Sequence, residues 1–216
     1  MKDAVQALRD GKVILYPTDT VWGIGCDATN PAAVARVYEI KRRADSKSLV
    51  LLAADLDMVA RYVRQVPSIA VDLVEVNDAP MTIIYPEGLT GPKPAAAGSA
   101  AAGTAGSGTT TGAPVMPPAD RYRLAFNTVA ADGSVGIRVP LTEFCRDLCR
   151  RLGRPIVSTS ANISGEPTPG SFAEIAPEIK EAVDLILDRS LEKQSTGRAS
   201  QIIKVGMDST VEIIRP

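Results

Sequence analysis

The sequence predicts a single α/β domain, a β-sheet covered by helices. The basis is that short apolar, β-branched runs alternate with capped amphipathic stretches along most of the chain. At 216 residues and 45% apolar content the chain is large enough to build one hydrophobic core. Residues 88–119 break the alternation: they are mostly Gly, Ala, Ser, Thr and Pro, with almost no large apolar side chain. Such a segment cannot bury enough surface to offset its ordering entropy, so the domain reads as spanning 1–216 with a flexible surface insertion at 88–119. The alternative for a loop this long is a lid over an active site.

The elements follow in order. Ala4, Val5, Ala7 and Leu8 share one face of a helix expected over 2–10 and stopped by Gly11, and the apolar run 13–16 is a short buried strand. Asn30-Pro31 pairs a capping side chain with a proline at the first helical position, opening a helix to about residue 40. A strand is expected over 48–53, helices over 56–63 and 68–76, and strands over 81–85 and 135–139. Thr142 can cap a helix that stacks Phe144, Leu148 and Leu152 and ends at Gly153, ahead of a strand at 155–158. Ser171 and Glu174 have capping-box spacing for a helix to 180. Strands at 183–187, 201–205 and 210–214 close the chain.

The totals exclude several function classes. A formal net charge of −1 gives no whole-protein field for a polyanion, so nucleotide or RNA contact requires a local basic cluster. The sequence has no histidine, which removes Ser-His-Asp and Cys-His catalysis and His-based zinc sites. Its 3 cysteines, Cys26, Cys145 and Cys149, are odd in number and lack CxxC spacing, which fits buried thiols in a reducing compartment. No run approaches the ~20 apolar residues of a membrane span and no signal-like start is evident. The expectation is a cytoplasmic, unprocessed protein with no membrane partner.

Polar clusters carry the candidate chemistry. In Tyr16-Pro17-Thr18-Asp19-Thr20-Val21-Trp22-Gly23-Ile24-Gly25-Cys26 a buried strand ends in a hydroxyl-rich, glycine-punctuated turn, a common place for ligands in α/β sheets. Alone it reads sooner as an ordinary strand exit with Trp22 filling the core. Lys41, Arg42, Arg43 and Lys47, followed by Ser48, can neutralise a triphosphate, arginine through planar two-point contacts and lysine as a point charge. Alone they are a solvated helix end complementing the C-terminal dipole. In Ser158-Thr159-Ser160-Ala161-Asn162-Ile163-Ser164-Gly165, hydroxyls and an amide follow a strand and suit phosphate and ribose, or form an ordinary polar turn.

Order and spacing add what no single cluster supplies. YPTDTVWGIGC, KRRADSK-SLVLL and STSANISGEP resemble the signatures of the YrdC-like threonylcarbamoyl-AMP synthases, over residues 13–168 and more loosely through Gly197-Arg198-Ala199-Ser200. The resemblance implies an α/β fold, a twisted mixed sheet flanked by helices with a basic concave groove where ATP and L-threonine meet. By motif position it implies Thr20 and Arg138 on L-threonine, and Arg43 and Lys47 stabilising the ATP phosphates, with Lys41 a further phosphate candidate. It places Thr82, Ser134, Ser158, Ser160, Asn162, Arg198 and Ser200 on ATP. Val76-Asn77-Asp78-Ala79-Pro80 stands where the family carries a Trp-Pro-Gly-Pro run, and Ser48 where proline is common. With no second domain after STSAN, the chain resembles the short members, which act with partner proteins.

The implied reaction joins L-threonine, bicarbonate and ATP into threonylcarbamoyl-AMP and pyrophosphate, with Mg²⁺ accompanying ATP, for threonylcarbamoylation of tRNA by downstream transfer proteins. It needs no protein nucleophile, in keeping with a histidine-free chain. A rival is an RNA-binding module using the same groove without catalysis, against which stand 1 Trp and 3 Phe as stacking platforms. A nearer rival is a relative that handles carbamoyl-adenylate within a larger chain.

Overall fold

The computed structural model describes residues 1–43, 48–93 and 123–216. Lys47 and residues 94–119 of the expected insertion lie outside the described residues. Helix α1 (Lys2–Arg9) buries Ala4, Val5, Ala7 and Leu8. It leads into β1 (Ile14–Pro17), which is buried along its whole length. The mixed α/β architecture is as expected, but the strands form two mixed sheets rather than one.

The smaller sheet has the order β7-β2-β1-β8, from β1, β2 (Trp22–Gly25), β7 (Thr159–Ser160) and β8 (Leu185–Ile186). The larger has the order β10-β9-β4-β5-β3-β6. Its strands are β3 (Leu51–Leu52), β4 (Met81–Tyr85), β5 (Val135–Arg138), β6 (Ile156–Val157), β9 (Gln201–Val205) and β10 (Val211–Arg215). The remaining helices are α2 (Pro31–Ile40), α3 (Leu56–Tyr62), α4 (Ser68–Val76), α5 (Glu143–Leu152) and α6 (Pro177–Ala182). Apolar faces of the helices and sheets merge in one core around Leu15, Trp22, Leu51, Ile137 and Leu148.

Local signals mostly act as expected. The Asn30 side chain accepts from the Ala32 and Ala33 amides with Pro31 in the first turn of α2, and Gly153 closes α5 in the left-handed region at φ 78°. Thr142 occupies the N-cap position of α5 without a side-chain cap bond.

Departures have local causes. The glycines after Asp19 suggested a turn, yet residues 22–25 form β2, antiparallel to β1 in the register Leu15 with Ile24. Glycine is needed there for close approach: a Cβ on Gly25 would lie 2.5 Å from the Val157 carbonyl and 2.7 Å from the Tyr16 ring. The strand expected over 48–53 contracts to Leu51–Leu52.

The Ser171 hydroxyl does donate to Glu174, at 2.9 Å, but the turn it starts is a 3₁₀ segment, Phe172–Glu174. Helix α6 begins anew with Pro177 in its first turn, the position that tolerates a missing N–H. The start of the insertion is also tied down rather than loose. Leu89 N donates to Tyr62 O at 2.8 Å, and Gly91 N to Leu124 O at 2.9 Å.

Candidate active site

The two sheets place the polar clusters around one cavity of about 290 Å³. One wall is a row across the larger sheet. Thr82 of β4 pairs with Ile202 of β9, Ile202 pairs with Arg215 of β10, and one step beyond the Ile83–Ile137 pair Thr82 faces Arg138 of β5. Alternation along strands turns these residues, with Ile84 and Gly136, to the cavity face. The β1–β2 turn, with Thr18 and Thr20, and the start of the third cluster, Ser158 to Ser160, also line the cavity.

Backbone bonds lock the clusters together. β7 pairs with β2 through Gly23 with Ser160. Ala161 N donates to Trp22 O at 3.0 Å, Ser158 N to Val50 O at 2.8 Å, and Ser164 N to Lys41 O at 2.8 Å. The segment before β9 clamps the turn from the C-terminal side: Thr196 N donates to Asp19 O at 3.0 Å and Gly197 N to Thr20 O at 2.8 Å. The Ser195 hydroxyl donates to Thr18 O.

The cavity carries cations without carboxylates: Arg43, Arg138 and Arg215 line it, and none of its described lining residues is acidic. Arg43 follows Arg42, a non-glycine residue held at φ 49° where the chain leaves α2. Arg43 N bonds back to Tyr38 O at 2.9 Å and its Nη2 donates to Ser48 O at 2.9 Å, which directs the side chain along the cavity edge.

Arg138 is 4% exposed; its Nη1 lies 3.0 Å from Asp19 Oδ1 and donates to Thr20 Oγ1 at 2.9 Å. Its Nε is buried with no partner among the described residues, an open donor in a wall built of hydroxyls. The Thr82 and Ser200 hydroxyls meet at 2.8 Å.

Of the residues singled out in the sequence, Thr20, Arg43, Thr82, Arg138, Ser158, Ser160 and Ser200 line this cavity. Lys41, Ser134, Asn162 and Arg198 are not among its lining residues. Lys41 is 2% exposed and its Nζ donates to Ser160 O at 2.5 Å and Asn162 O at 2.7 Å. The ammonium thereby fastens the third cluster. Burial, then the Arg43 charge, lowers its pKa from 10.5 to about 8.

Asn162 acts in the same way: its Oδ1 accepts from Ser160 Oγ at 2.5 Å and its Nδ2 donates to Glu166 O at 2.8 Å. Ser134 caps the turn before β5 by donating to Asp132 Oδ1 at 2.6 Å, and Arg198 is exposed. Thr18 and Arg215 also line the cavity, although neither had been singled out for a role. Thr18 lay inside the first cluster, whereas Arg215 carries no motif, and only strand register brings it to the cavity.

Comparison with known proteins gives a consistent result. The Sua5, YciO and YrdC family model, described as "Telomere recombination", matches residues 6–110 and 114–216. The chain is 32% identical over 185 residues to a threonylcarbamoyl-AMP synthase of Chromohalobacter salexigens, covering 85% of this chain and 82% of that protein. It is 29% identical over 208 residues to one of Idiomarina loihiensis, covering 94% of this chain and 89% of that protein.

Among solved structures, P. abyssi Sua5 complexed with L-threonine matches with a TM-score of 0.67 at 23% identity, over 94% of this chain and 50% of that one. The chain thus spans about half the Sua5 length. E. coli YciO matches with a TM-score of 0.67 at 23% identity, over 99% of this chain and 86% of that one. At these identities the structural likeness concerns the fold.

Proposed function

The chain belongs to the Sua5, YciO and YrdC family, and from that membership we propose that it is a nucleotidyltransferase-type enzyme, an L-threonylcarbamoyladenylate synthase. It condenses L-threonine, bicarbonate and ATP to pyrophosphate, water and threonylcarbamoyl-AMP, the activated donor for threonylcarbamoylation of tRNA. The observation that carries this reading is the meeting of the three sequence clusters on one cavity that holds arginines and hydroxyls and, among its described lining residues, no carboxylate. Relatives that match most of the chain are named threonylcarbamoyl-AMP synthases, which supports the reading.

In this reading the cavity works by alignment and charge. The carbamate formed on the threonine amine attacks the α-phosphate of ATP, and pyrophosphate leaves. Thr20 and Arg138 hold L-threonine: the guanidinium, fixed by Asp19, presents donors to the carboxylate. Arg43 stabilises phosphate charge, and the Thr82–Ser200 pair, Ser158 and Ser160 offer hydroxyls to the nucleotide. Lys47 lies four residues beyond Arg43 and keeps its assignment to the phosphates.

Lys41 and Asn162 serve the site by holding the Ser158–Ser160 strand end in place. Mg²⁺ enters as the metal complex of ATP. Bound in that way, the ion would take the ATP phosphates and water among its ligands. Fixing two substrates in attack geometry and supplying preorganised positive charge contribute several kcal/mol each in a water-poor site, without a protein nucleophile.

The test is pyrophosphate release from MgATP by the purified chain, with and without L-threonine and bicarbonate. Release requiring both co-substrates is expected. No release, with salt-sensitive retention of RNA, would replace this reading with a non-catalytic RNA-binding module.

A further inference from the structure

Three segments that line the cavity are joined outside it on one carboxylate oxygen. Glu192, in the 3₁₀ turn Arg189–Gln194, accepts at Oε1 from the Trp22 indole Nε1 at 2.9 Å and from Phe172 N at 2.6 Å. Trp22 opens β2, just beyond the turn that brings Thr18 and Thr20 to the cavity. Phe172 follows Thr168, and the chain after Glu192 supplies Ala199 and Ser200, which line the cavity too. The Trp22 and Phe172 rings pack with centroids 4.9 Å apart. Lys180 Nζ and the Arg189 guanidinium each lie 4.7 Å from the Phe172 ring centre, so the turn that carries Glu192 is seated on Phe172 as well.

The consequence falls on one side of the cavity. Beyond Glu192 the backbone follows the β1–β2 turn residue by residue. Ser195 N donates to Glu192 O at 2.9 Å, the Ser195 hydroxyl to Thr18 O, Thr196 N to Asp19 O at 3.0 Å and Gly197 N to Thr20 O at 2.8 Å. The side chains of Asp19 and Thr20 in turn hold the Arg138 guanidinium. The nucleotide side has other supports. Thr82 and Ser200 stand on the β4–β9 ladder, which pairs Met81 with Gln201 and Thr82 with Ile202. Arg43 is held by Tyr38 O and Ser48 O. Trp22 is 1% exposed, so its indole N–H needs a protein acceptor; without the carboxylate the ring shifts or leaves the N–H unpaired, and the turn before it loosens.

Resting on the reading of the cavity as the site of L-threonine activation, we propose that Glu192 is a positioning residue for the amino-acid side of that site. Acting through Trp22 and the backbone of residues 195–197, it holds Thr20 and Arg138 in the geometry that receives L-threonine. The residues that face the nucleotide are left to the larger sheet and to the turn after α2.

The test is the initial rate of pyrophosphate release by the full chain and its Glu192→Leu and Glu192→Gln variants, with L-threonine varied at saturating MgATP and MgATP varied at saturating L-threonine. Loss of the shared acceptor predicts a KM for L-threonine raised about three- to tenfold in Glu192→Leu, with the KM for ATP changed less than about twofold. Glu192→Gln should stay near the unaltered chain, because its amide oxygen still accepts from both N–H groups. An unchanged threonine KM in Glu192→Leu, an equal rise in both KM values, or a Gln variant as impaired as the Leu variant would each overturn the proposal. If Glu192→Leu does not fold, Trp22→Phe, which keeps a ring and removes the indole N–H, decides by the same split between the two KM values. Failure of the functional reading shows separately, before any substitution: an unaltered chain whose pyrophosphate release does not depend on L-threonine overturns that reading, and this inference with it.

Discussion

The Arg138 guanidinium and the Asp19 carboxylate meet at 3.0 Å with each side chain only 4% exposed. Asp19 Oδ2 also accepts from Leu141 N at 3.0 Å, so the carboxylate joins the β1–β2 turn to the chain just after β5. The pair is both a cross-link between the two sheets and the fixture that aims Arg138.

Removing one partner leaves the other buried and uncompensated. Asp19→Ala is expected to lower unfolding stability by about 3–5 kcal/mol, read from urea denaturation. A loss under about 1 kcal/mol would mean that water reaches the pair and that it does not hold the sheets.

Lys41 makes stability depend on pH. Its pKa is near 10.5 in the unfolded chain and about 8 when folded, so between these values the unfolded state binds more protons. Stability should therefore rise from pH 8 toward 10.5 as the cost of burying the charge is relieved, and show no contribution from Lys41 to the slope well below pH 8. Urea midpoints of the wild type and Lys41→Met at pH 7, 8.5 and 10 would show the difference between the proteins changing with pH; parallel curves would contradict the lowered pKa.

Substrate assignments separate kinetically. Arg43→Ala is expected to lower kcat/KM for ATP by about 10- to 100-fold, the worth of a charge-assisted phosphate contact. Thr20→Ala is expected to raise the KM for L-threonine by about three- to tenfold and to leave the KM for ATP nearly unchanged. Wild-type turnover in the first variant, or an unaltered threonine requirement in the second, would remove that residue from its role.

The thiols are expected to be inert in the native protein. Cys26, Cys145 and Cys149 are free and buried. Desolvation raises all of their pKa values, that of Cys145 to about 11. A thiol reagent at pH 8 should label none of them until denaturant is added; rapid native labelling would show that the core around α5 opens.

The elements with strong local causes were legible in the chain itself. Asn30-Pro31 marked the start of α2 and Gly153 the end of α5, because caps act through neighbouring residues. The polar clusters were legible as well, since a run of hydroxyls or cations beside a strand is a property of a few consecutive residues. Strand β2 was not, because Gly23 and Gly25 look the same whether they make a turn or admit a neighbouring strand. What decides is the Val157 carbonyl and the Tyr16 ring against Gly25.

By itself, then, the sequence determined the mixed helices and strands, the histidine-free chemistry and the identity of the clusters. The tertiary structure alone divided the strands into two sheets and buried the Lys41 ammonium against the Ser160 and Asn162 carbonyls. It also set Arg215 in the same cross-sheet row as Thr82 and Arg138. The physical reason is that register and burial depend on which strands meet across long sequence separations: which face a residue presents, and whether its charge meets water or a carbonyl, follows from those pairings.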